Sequence, residues 1–136
     1  MNILFYLVPK NDVMFLFDDY TLRQAMEKME YHRYSAVPVI GRAGNYIGTL
    51  TEGDILWGLK KSGNTCVRAA EDILVRQIPR RRDNQPINVN CDIEDLIMTS
   101  MNQNFVPVVD DNGIFIGIVT RKSIIEYCYK KYKSLE

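Results

Sequence analysis

The sequence is poor in the residues that build several common kinds of functional site. Its 136 residues include one histidine, His32, and three cysteines, Cys66, Cys91 and Cys128. A single histidine excludes a histidine-based catalytic triad and a multi-histidine zinc site, and no C-x-x-C spacing indicates a zinc knuckle. No Gly-rich phosphate loop of the G-x-x-x-x-G-K-S/T or G-x-G-x-x-G type occurs. We therefore expect a protein that is not an enzyme, with free thiols buried in a reducing compartment.

Net charge and long hydrophobic runs are also missing. The chain has 17 Lys and Arg against 17 Asp and Glu. A protein that coats duplex nucleic acid or an anionic membrane needs a basic surplus to displace counterions, so we expect no nucleic acid polymer and no membrane as partner. The apolar opening, residues 3–8, is too short to span a bilayer and lacks the flanks of a signal peptide. We expect it to be part of the fold of a cytoplasmic protein.

The chain repeats itself at an offset of 69 residues. Within positions 37–51, seven residues are identical to those 69 positions later, and three more are conservative. The identical positions are Val37, Pro38, Val39, Gly44, Ile47, Gly48 and Thr51. Because chance is a poor explanation for this match, we infer two copies of one unit, at residues 1–64 and 65–136.

Each copy shows the same order of predicted elements. Apolar residues at helical spacing follow an N-cap candidate, Thr21 in the first copy and Asp92 in the second. A second helix is predicted to begin at Thr51 and at Thr120. The predicted strands are residues 13–17, 36–40 and 46–50 in the first copy and 87–89, 105–109 and 115–119 in the second.

These elements predict an α+β fold of two β-α-β-β-α repeats. A unit of this size has a thin core of its own, so we expect the two to pack together with pseudo-two-fold symmetry. Residues 60–64 close the first copy. Residues 77–86, with two prolines and three consecutive arginines, predict an exposed loop that leads into the second copy.

Three stretches carry a family resemblance. They are residues 35–40 (SAVPVI), residues 44–56 (GNYIGTLTEGDIL) and their second-copy partners, which end at residues 116–125 (IGIVTRKSII). They resemble the tandem CBS-domain pair, or Bateman module, of the stand-alone bacterial type. The resemblance implies a regulatory sensor without a cofactor, which binds AMP, ADP, ATP, S-adenosylmethionine or cyclic di-AMP in a cleft between the repeats. It also implies a homodimer that forms a disc of four repeats, and a partner protein that responds to the ligand.

Thr51 and Asp54 form the most informative local pattern. A carboxylate in the first turn of a helix can accept both hydroxyl protons of a ribose, and the helix N-terminus favours phosphate. The same spacing is also close to a capping box, in which both side chains satisfy orphan backbone donors. The resemblance implies ribose at Asp54 and ribose or phosphate near Thr51. It places the adenine against the backbone of Ala36, Val37 and Pro38, with Met14 and Leu16 as the other wall.

The second copy departs from this pattern. Its residue equivalent to Asp54 is Ser123, which cannot clamp a diol with charge. The same helix start instead offers Thr120 followed by Arg121 and Lys122, while Val106 and Pro107 repeat Val37 and Pro38. The resemblance implies cyclic di-AMP as a candidate ligand for the basic pair. The competing interpretation is that both side chains are solvated surface residues.

Two functions from different classes fit these residues. In the first, ligand binding changes the setting of the repeats and so a surface that a partner recognises, which requires the ligand to favour one setting. In the second, the repeats only dimerise or act as a scaffold and the clefts are empty. The arginines Arg80, Arg81 and Arg82 are expected to be a solvated loop unless that loop folds back over the cleft.

Overall fold

The computed structural model describes residues 3–61, 63 and 70–135, and these residues contain seven β-strands and four α-helices. Strand β1 (Val8–Pro9) comes first. The first repeat follows as β2 (Leu16–Phe17), α1 (Leu22–His32), β3 (Ala36–Ile40), β4 (Tyr46–Thr51) and α2 (Glu52–Lys61). The second repeat is β5 (Ile87–Asn88), α3 (Ile93–Ser100), β6 (Phe105–Val109), β7 (Phe115–Thr120) and α4 (Arg121–Ser134). The predicted β-α-β-β-α order of both repeats is therefore confirmed.

The chain divides into two compact units, one of Met14–Asp83 and one of Met1–Val13 with Asn84–Glu136. The first unit has a three-stranded sheet in the order β2-β3-β4, and the second has a four-stranded sheet in the order β1-β7-β6-β5. In each sheet the short first strand of the repeat runs parallel to its neighbour, and the next pair is antiparallel. The bounds of the compact units thus differ from those of the sequence repeats. Strand β1 precedes the first repeat but pairs with β7 of the second. The boundary predicted between residues 64 and 65 lies outside the described residues and stays a prediction.

The two antiparallel pairs share their register as well as their sequence. Val37 is paired with Leu50 in one sheet, and Val106 with Val119 in the other. A register shift follows Val39 in β3, and a shift at the equivalent place follows Val108 in β6. The same local irregularity in both repeats is what a common unit predicts.

Each unit has its own apolar core. In the first, Leu16, Leu22, Val39 and Leu50 are fully buried among residues of α1, β3 and β4. In the second, the core includes residues of α3, β6, β7 and α4, together with Ile3 from the start of the chain. The predicted inclusion of the apolar opening in the fold is confirmed for Ile3, which is 1% exposed.

The helix starts follow the predicted caps. The Thr21 side chain accepts a hydrogen bond from the Gln24 N–H, and Asp92 accepts one from the Asp95 N–H at 2.9 Å. Each bond satisfies one of the backbone donors that a helix N-terminus leaves without an intrahelical partner. Helix α1 ends at His32 and is followed by the C-cap Arg33, whose φ of 60° is left-handed.

Several predictions need correction. The strand predicted at residues 13–17 is reduced to β2, because only Leu16 and Phe17 pair with β3. The loop at residues 77–86 is not exposed throughout, since Ile78 packs into the first core. Cys128 is exposed rather than buried, and Cys66 lies outside the described residues. Cys91 is partly buried, and burial raises the pKa of its thiol.

Candidate functional site

Thr51 and Asp54 meet at the junction of β4 and α2. Thr51 is the last residue of the strand, and the helix begins at the next residue. The Asp54 N–H donates to Thr51 Oγ1 at 3.0 Å, and the Thr51 N–H donates to Asp54 Oδ2 at 3.1 Å. These reciprocal bonds are the capping box that the spacing predicts. The capping interpretation is therefore confirmed at this position.

Asp54 also forms a hydrogen bond with Arg81, which lies 27 positions further along the chain. Its second oxygen, Oδ1, accepts a hydrogen bond from the Arg81 N–H at 3.0 Å. The residue is only 5% exposed, which is rare for a carboxylate unless it is well hydrogen-bonded. Asp54 thus serves as a buried acceptor for two main-chain donors, one in its own helix start and one in the segment that leads to the second repeat.

Asp83 forms a second set of contacts that hold the segment containing Arg81 against β4. The Asp83 carboxylate forms an ion pair with Arg80, with 2.7 Å between Oδ1 and Nε, and it accepts the Thr49 N–H of β4 at 2.9 Å. The bond to Asp83 raises the pKa of the half-buried Arg80 guanidinium. The three arginines therefore do not form a purely solvated loop: Arg81 and Arg82 are exposed, but the segment folds back on the first repeat.

A buried hydroxyl lies beside this segment. The Tyr46 hydroxyl is 2.8 Å from Thr49 Oγ1, and burial raises the pKa of Tyr46 to about 12. Tyr46 therefore stays protonated at neutral pH. It adds no charge to this part of the unit.

Two pockets open along α2, and both include Asp54, Trp57 and Arg81. A pocket of about 210 Å³ is lined by Thr51, Gly53, Asp54, Trp57, Arg81 and Arg82. A larger pocket of about 660 Å³ is lined by Asp54, Trp57, Lys60, Lys61, Pro79, Arg80 and Arg81. The Trp57 indole is about half exposed and lies under the Lys60 ammonium, 5.3 Å from the ring centre.

The charge of these pockets is positive. Arg80 is neutralised by Asp83, but Lys60, Lys61, Arg81 and Arg82 form no ion pair with any other described residue. The lone carboxylate of the lining, Asp54, points its oxygens at main-chain N–H groups. Cations beside an exposed indole and a helix N-terminus suit an anionic ligand that carries a planar ring.

The predicted adenine walls lie in the core of the same unit. Val37 and Leu16 are at most 1% exposed, so their side chains cannot touch a ligand. Ala36 is paired with Thr51, which places its backbone next to the helix start. Pro38 is buried, and the half-buried Met14 packs against the core. The described lining of the two pockets includes none of these five residues, so their contact with an adenine stays a prediction.

The helix start of the second repeat uses its predicted residues differently. Thr120 caps α4 by accepting the Ser123 N–H at 3.2 Å, and the two hydroxyls are 3.0 Å apart. Arg121 Nε donates to the carbonyl groups of Ser100 and Gln103, at 3.2 and 3.0 Å. The Arg121 side chain thus lies against the carbonyl end of α3. Lys122 is exposed and has no partner among the described residues.

Two strand residues complete the predicted site in the second repeat. Val106 is fully buried, and Pro107 is buried in β6. Their side chains are covered in the same way as those of Val37 and Pro38. Ligand contact at these positions and at Thr120, Arg121 and Lys122 stays a prediction.

Three hydrogen-bonding groups that hold residues 80–85 were not predicted from the sequence. They are the main chain of Arg81, the carboxylate of Asp83 and the amide of Gln103. Each forms a hydrogen bond with a residue far away in the sequence, and no spacing rule predicts such a contact. The one usable signal was the arginine triplet next to Asp83, which places charge of both signs in a short segment.

Other kinds of site find little support in the described part of the chain. It contains no group of three or more His, Cys, Asp or Glu that could hold a metal ion. Across residues 3–61, 63 and 70–135, no helix combines the length and apolar character needed to cross a membrane. His32 ends α1, where its ring is stacked on Tyr34 at 5.6 Å.

Comparison with known proteins agrees with the repeats and the fold. The model of the CBS domain family matches residues 7–61 and again residues 75–130. The chain therefore belongs to the CBS domain family, and it carries two copies of the domain.

The solved structures that it resembles have the same fold. The structure of CbpB in complex with c-di-AMP has a TM-score of 0.86 and 25% identity, over 99% of this chain and 89% of that one. CbpB from Streptococcus agalactiae has a TM-score of 0.77 and 28% identity, over 89% of this chain and 75% of that one.

A curated relative contains a similar region within a longer protein. The homoserine O-acetyltransferase of Methanohalophilus mahii is 26% identical over 117 residues, which are 86% of this chain and 23% of that protein. This chain therefore spans less than a quarter of that relative's length.

Proposed function

We propose that this chain is a regulatory module that binds an adenosine-type nucleotide at the start of α2 and relays its presence to a partner protein. The observation that carries the proposal is the Asp54 carboxylate, buried at a helix N-terminus and bordered by a pocket that holds Arg81, Arg82 and Trp57. The helix start and the arginines suit phosphate, and the indole suits a base. The carboxylate suits a ribose diol.

The proposal extends to the surroundings of the site. Two chains form a homodimer in the cytoplasm. The molecule acts by binding and not as an enzyme. AMP, ADP, ATP and S-adenosylmethionine are the ligands to test in the first repeat. Support comes from membership of the CBS domain family. The first repeat has a carboxylate at Asp54, whereas the equivalent residue of the second repeat is Ser123.

Cyclic di-AMP is the second candidate ligand. The observation that favours it is the likeness to CbpB, a protein whose structure was solved in complex with c-di-AMP. Lys122 is an exposed cation at the start of α4, and Arg121 precedes it in the same helix turn. Both are basic side chains at a helix N-terminus, where phosphate binds well.

Thermal unfolding of the purified chain with each of the five ligands tests the proposal. A ligand at one hundred times its dissociation constant stabilises a protein by about 2.7 kcal/mol, which is readily measured for a chain of this length. We expect at least one of the five to raise the midpoint. If none does, the scaffold function gains and the proposal fails.

Substitution of the two equivalent residues tests the position of the ligand. We expect Asp54→Ala to weaken mononucleotide binding by about tenfold or more, because it removes charge-assisted hydrogen bonds to the ribose. Ser123→Ala is the matched control and should leave the affinity nearly unchanged. Isothermal titration measures both. Equal losses in the two variants would contradict the asymmetry between the repeats.

A further inference from the structure

The segment that joins the two compact units begins at the candidate site. Its first part, residues 80–83, belongs to the first unit. There the Arg81 N–H is bonded to Asp54, and Asp83 is bonded to the Thr49 N–H and to Arg80. The path of the main chain through residues 80–83 is thus fixed at two points by carboxylates of the first unit.

The next two residues, Asn84 and Gln85, are held in the second unit by side-chain hydrogen bonds. Gln103 is 7% exposed, and its amide oxygen accepts the Gln85 N–H at 2.9 Å while its amide nitrogen donates to the Gln85 carbonyl at 3.0 Å. Asn84 adds a bond to the Phe105 carbonyl. The Gln103 carbonyl also accepts a hydrogen bond from Arg121. Gln103 therefore contacts both Gln85 and Arg121, the first residue of α4.

The Asp54 carboxylate cannot accept a ribose diol while this arrangement lasts. Its two oxygens offer about four acceptor positions, of which two are taken by the Thr51 and Arg81 N–H groups. Only 5% of the residue's surface is exposed, which is too little for both hydroxyls of a diol to reach the carboxylate from the pocket that it lines. Arg81 is also part of the pocket wall. A diol can reach Oδ1 only if the Arg81 main chain moves away.

We propose that Asp54, Asp83 and Gln103 form a clasp on the connecting segment, and that a ligand which takes Asp54 opens the clasp at Arg81. The ligand part of this inference rests on the proposed function. Opening frees the main chain at Arg81 from the first unit. The ligand and the Arg81 N–H compete for Asp54 Oδ1. The apparent affinity for the ligand therefore depends on the fraction of molecules in which the bond from Arg81 to Asp54 is broken.

Hydrogen exchange of the Arg81 amide, followed by NMR on the full chain, tests the clasp without any ligand. We expect Asp54→Ala to speed exchange at Arg81 by about tenfold to a hundredfold, because one bond to a buried charge is lost. Asp19→Ala is the control: it removes the surface ion pair with Arg42 in the same unit and should leave Arg81 unchanged. Arg81 exchange that is as slow in Asp54→Ala as in the wild type would overturn the clasp.

The competition is tested by loosening the second fastening point. Asp83→Ala should lower the stability of the chain and yet tighten AMP binding by about threefold to tenfold, because more molecules have an open clasp. If Asp83→Ala does not fold, Asp83→Asn serves, since it keeps an acceptor for Thr49 and loses only the charge. Both Asp83 variants also free the charge of Arg80, which lines the larger pocket. Tighter AMP binding therefore supports the clasp only if exchange of the Arg81 amide speeds up in the same variant. AMP should also speed exchange at Arg81 in the wild-type chain.

The outcomes separate the clasp from the proposed function. If AMP binds with Arg81 exchange unchanged, or if both Asp83 variants bind AMP as the wild type does, ligand opening of the clasp is wrong while nucleotide binding stands. If no nucleotide binds, the proposed function and the ligand part of the clasp fail together. The exchange of Arg81 in Asp54→Ala then decides whether these residues hold the connection at all.

Discussion

At the scale of single residues, Gly48 is the position where a side chain would do the most local damage to the candidate site. A Cβ built there would collide with the Asp83 carboxylate and lie 2.6 Å from Arg80 Nε. We therefore expect Gly48→Ala to destabilise the chain by about 1–3 kcal/mol, the usual cost of an overpacked site. Denaturation in urea measures the loss.

Gly53 provides the matched control for this prediction. It lies in the first turn of α2, and its nearest neighbour to a new Cβ is Thr51 Oγ1 at 3.7 Å, an ordinary contact. Gly53→Ala should be neutral or stabilise by up to about 1 kcal/mol, because alanine favours a helix over glycine. Similar losses in both variants would show that contact with Asp83 and Arg80 is not what makes Gly48 sensitive.

The same scale shows how far the sequence could predict the site. The bonds between Thr51 and Asp54 were predictable, since helix geometry fixes contacts between residues three apart. The bond from Arg81 to Asp54 was not, because it depends on the path of the chain over 27 residues. The amide of Gln103 was missed for the same reason. Local spacing predicts the cap, whereas the hydrogen bonds of the clasp depend on the tertiary fold.

At the scale of elements, the two antiparallel strand pairs cover their free edges by different means. The edge of β7 is paired with β1, where Val8 lies opposite Ile118. The equivalent edge of β4 has no such strand in the described residues, and the Asp83 carboxylate accepts its Thr49 N–H instead. Strands β3 and β6 were predicted because each is an apolar run of five residues, and β4 and β7 because each is rich in strand-forming residues and follows a turn. Strand β1 was missed, since two residues show no periodicity.

The pairing of β1 gives a prediction for Gly117, the counterpart of Gly48. A Cβ at Gly117 would collide with the Val8 carbonyl oxygen, which is backbone and cannot rotate away. Gly117→Ala should therefore detach β1 and cost about 3 kcal/mol, the upper end of the range for overpacking. Limited proteolysis should cut residues 3–13 faster in this variant. Unchanged protection of that segment would contradict the prediction, and Gly48→Ala is the control that should leave it protected.

At the scale of the whole molecule, one unit of sequence has given two repeats with the same fold and different chemistry. Both repeats have the same strand register, the same shift in that register, and a threonine that caps the second helix. The repeat was predictable because identities at a fixed offset survive in the buried strands. The division into compact units was not, because the first 13 residues pack with the second repeat and no local pattern reports that choice.

The two repeats differ in chemistry because the first has Asp54 where the second has Ser123. This difference predicts how many AMP molecules bind per chain. We expect titration calorimetry to find about one AMP per chain, held by the repeat that supplies a carboxylate. Ser123→Asp places an acid three residues after Thr120, where the Ser123 N–H already meets the threonine hydroxyl. This variant should bind about two AMP per chain, and adding Asp54→Ala to it should return the value to about one. A single AMP per chain in Ser123→Asp, with unchanged affinity, would show that the carboxylate alone does not define the site.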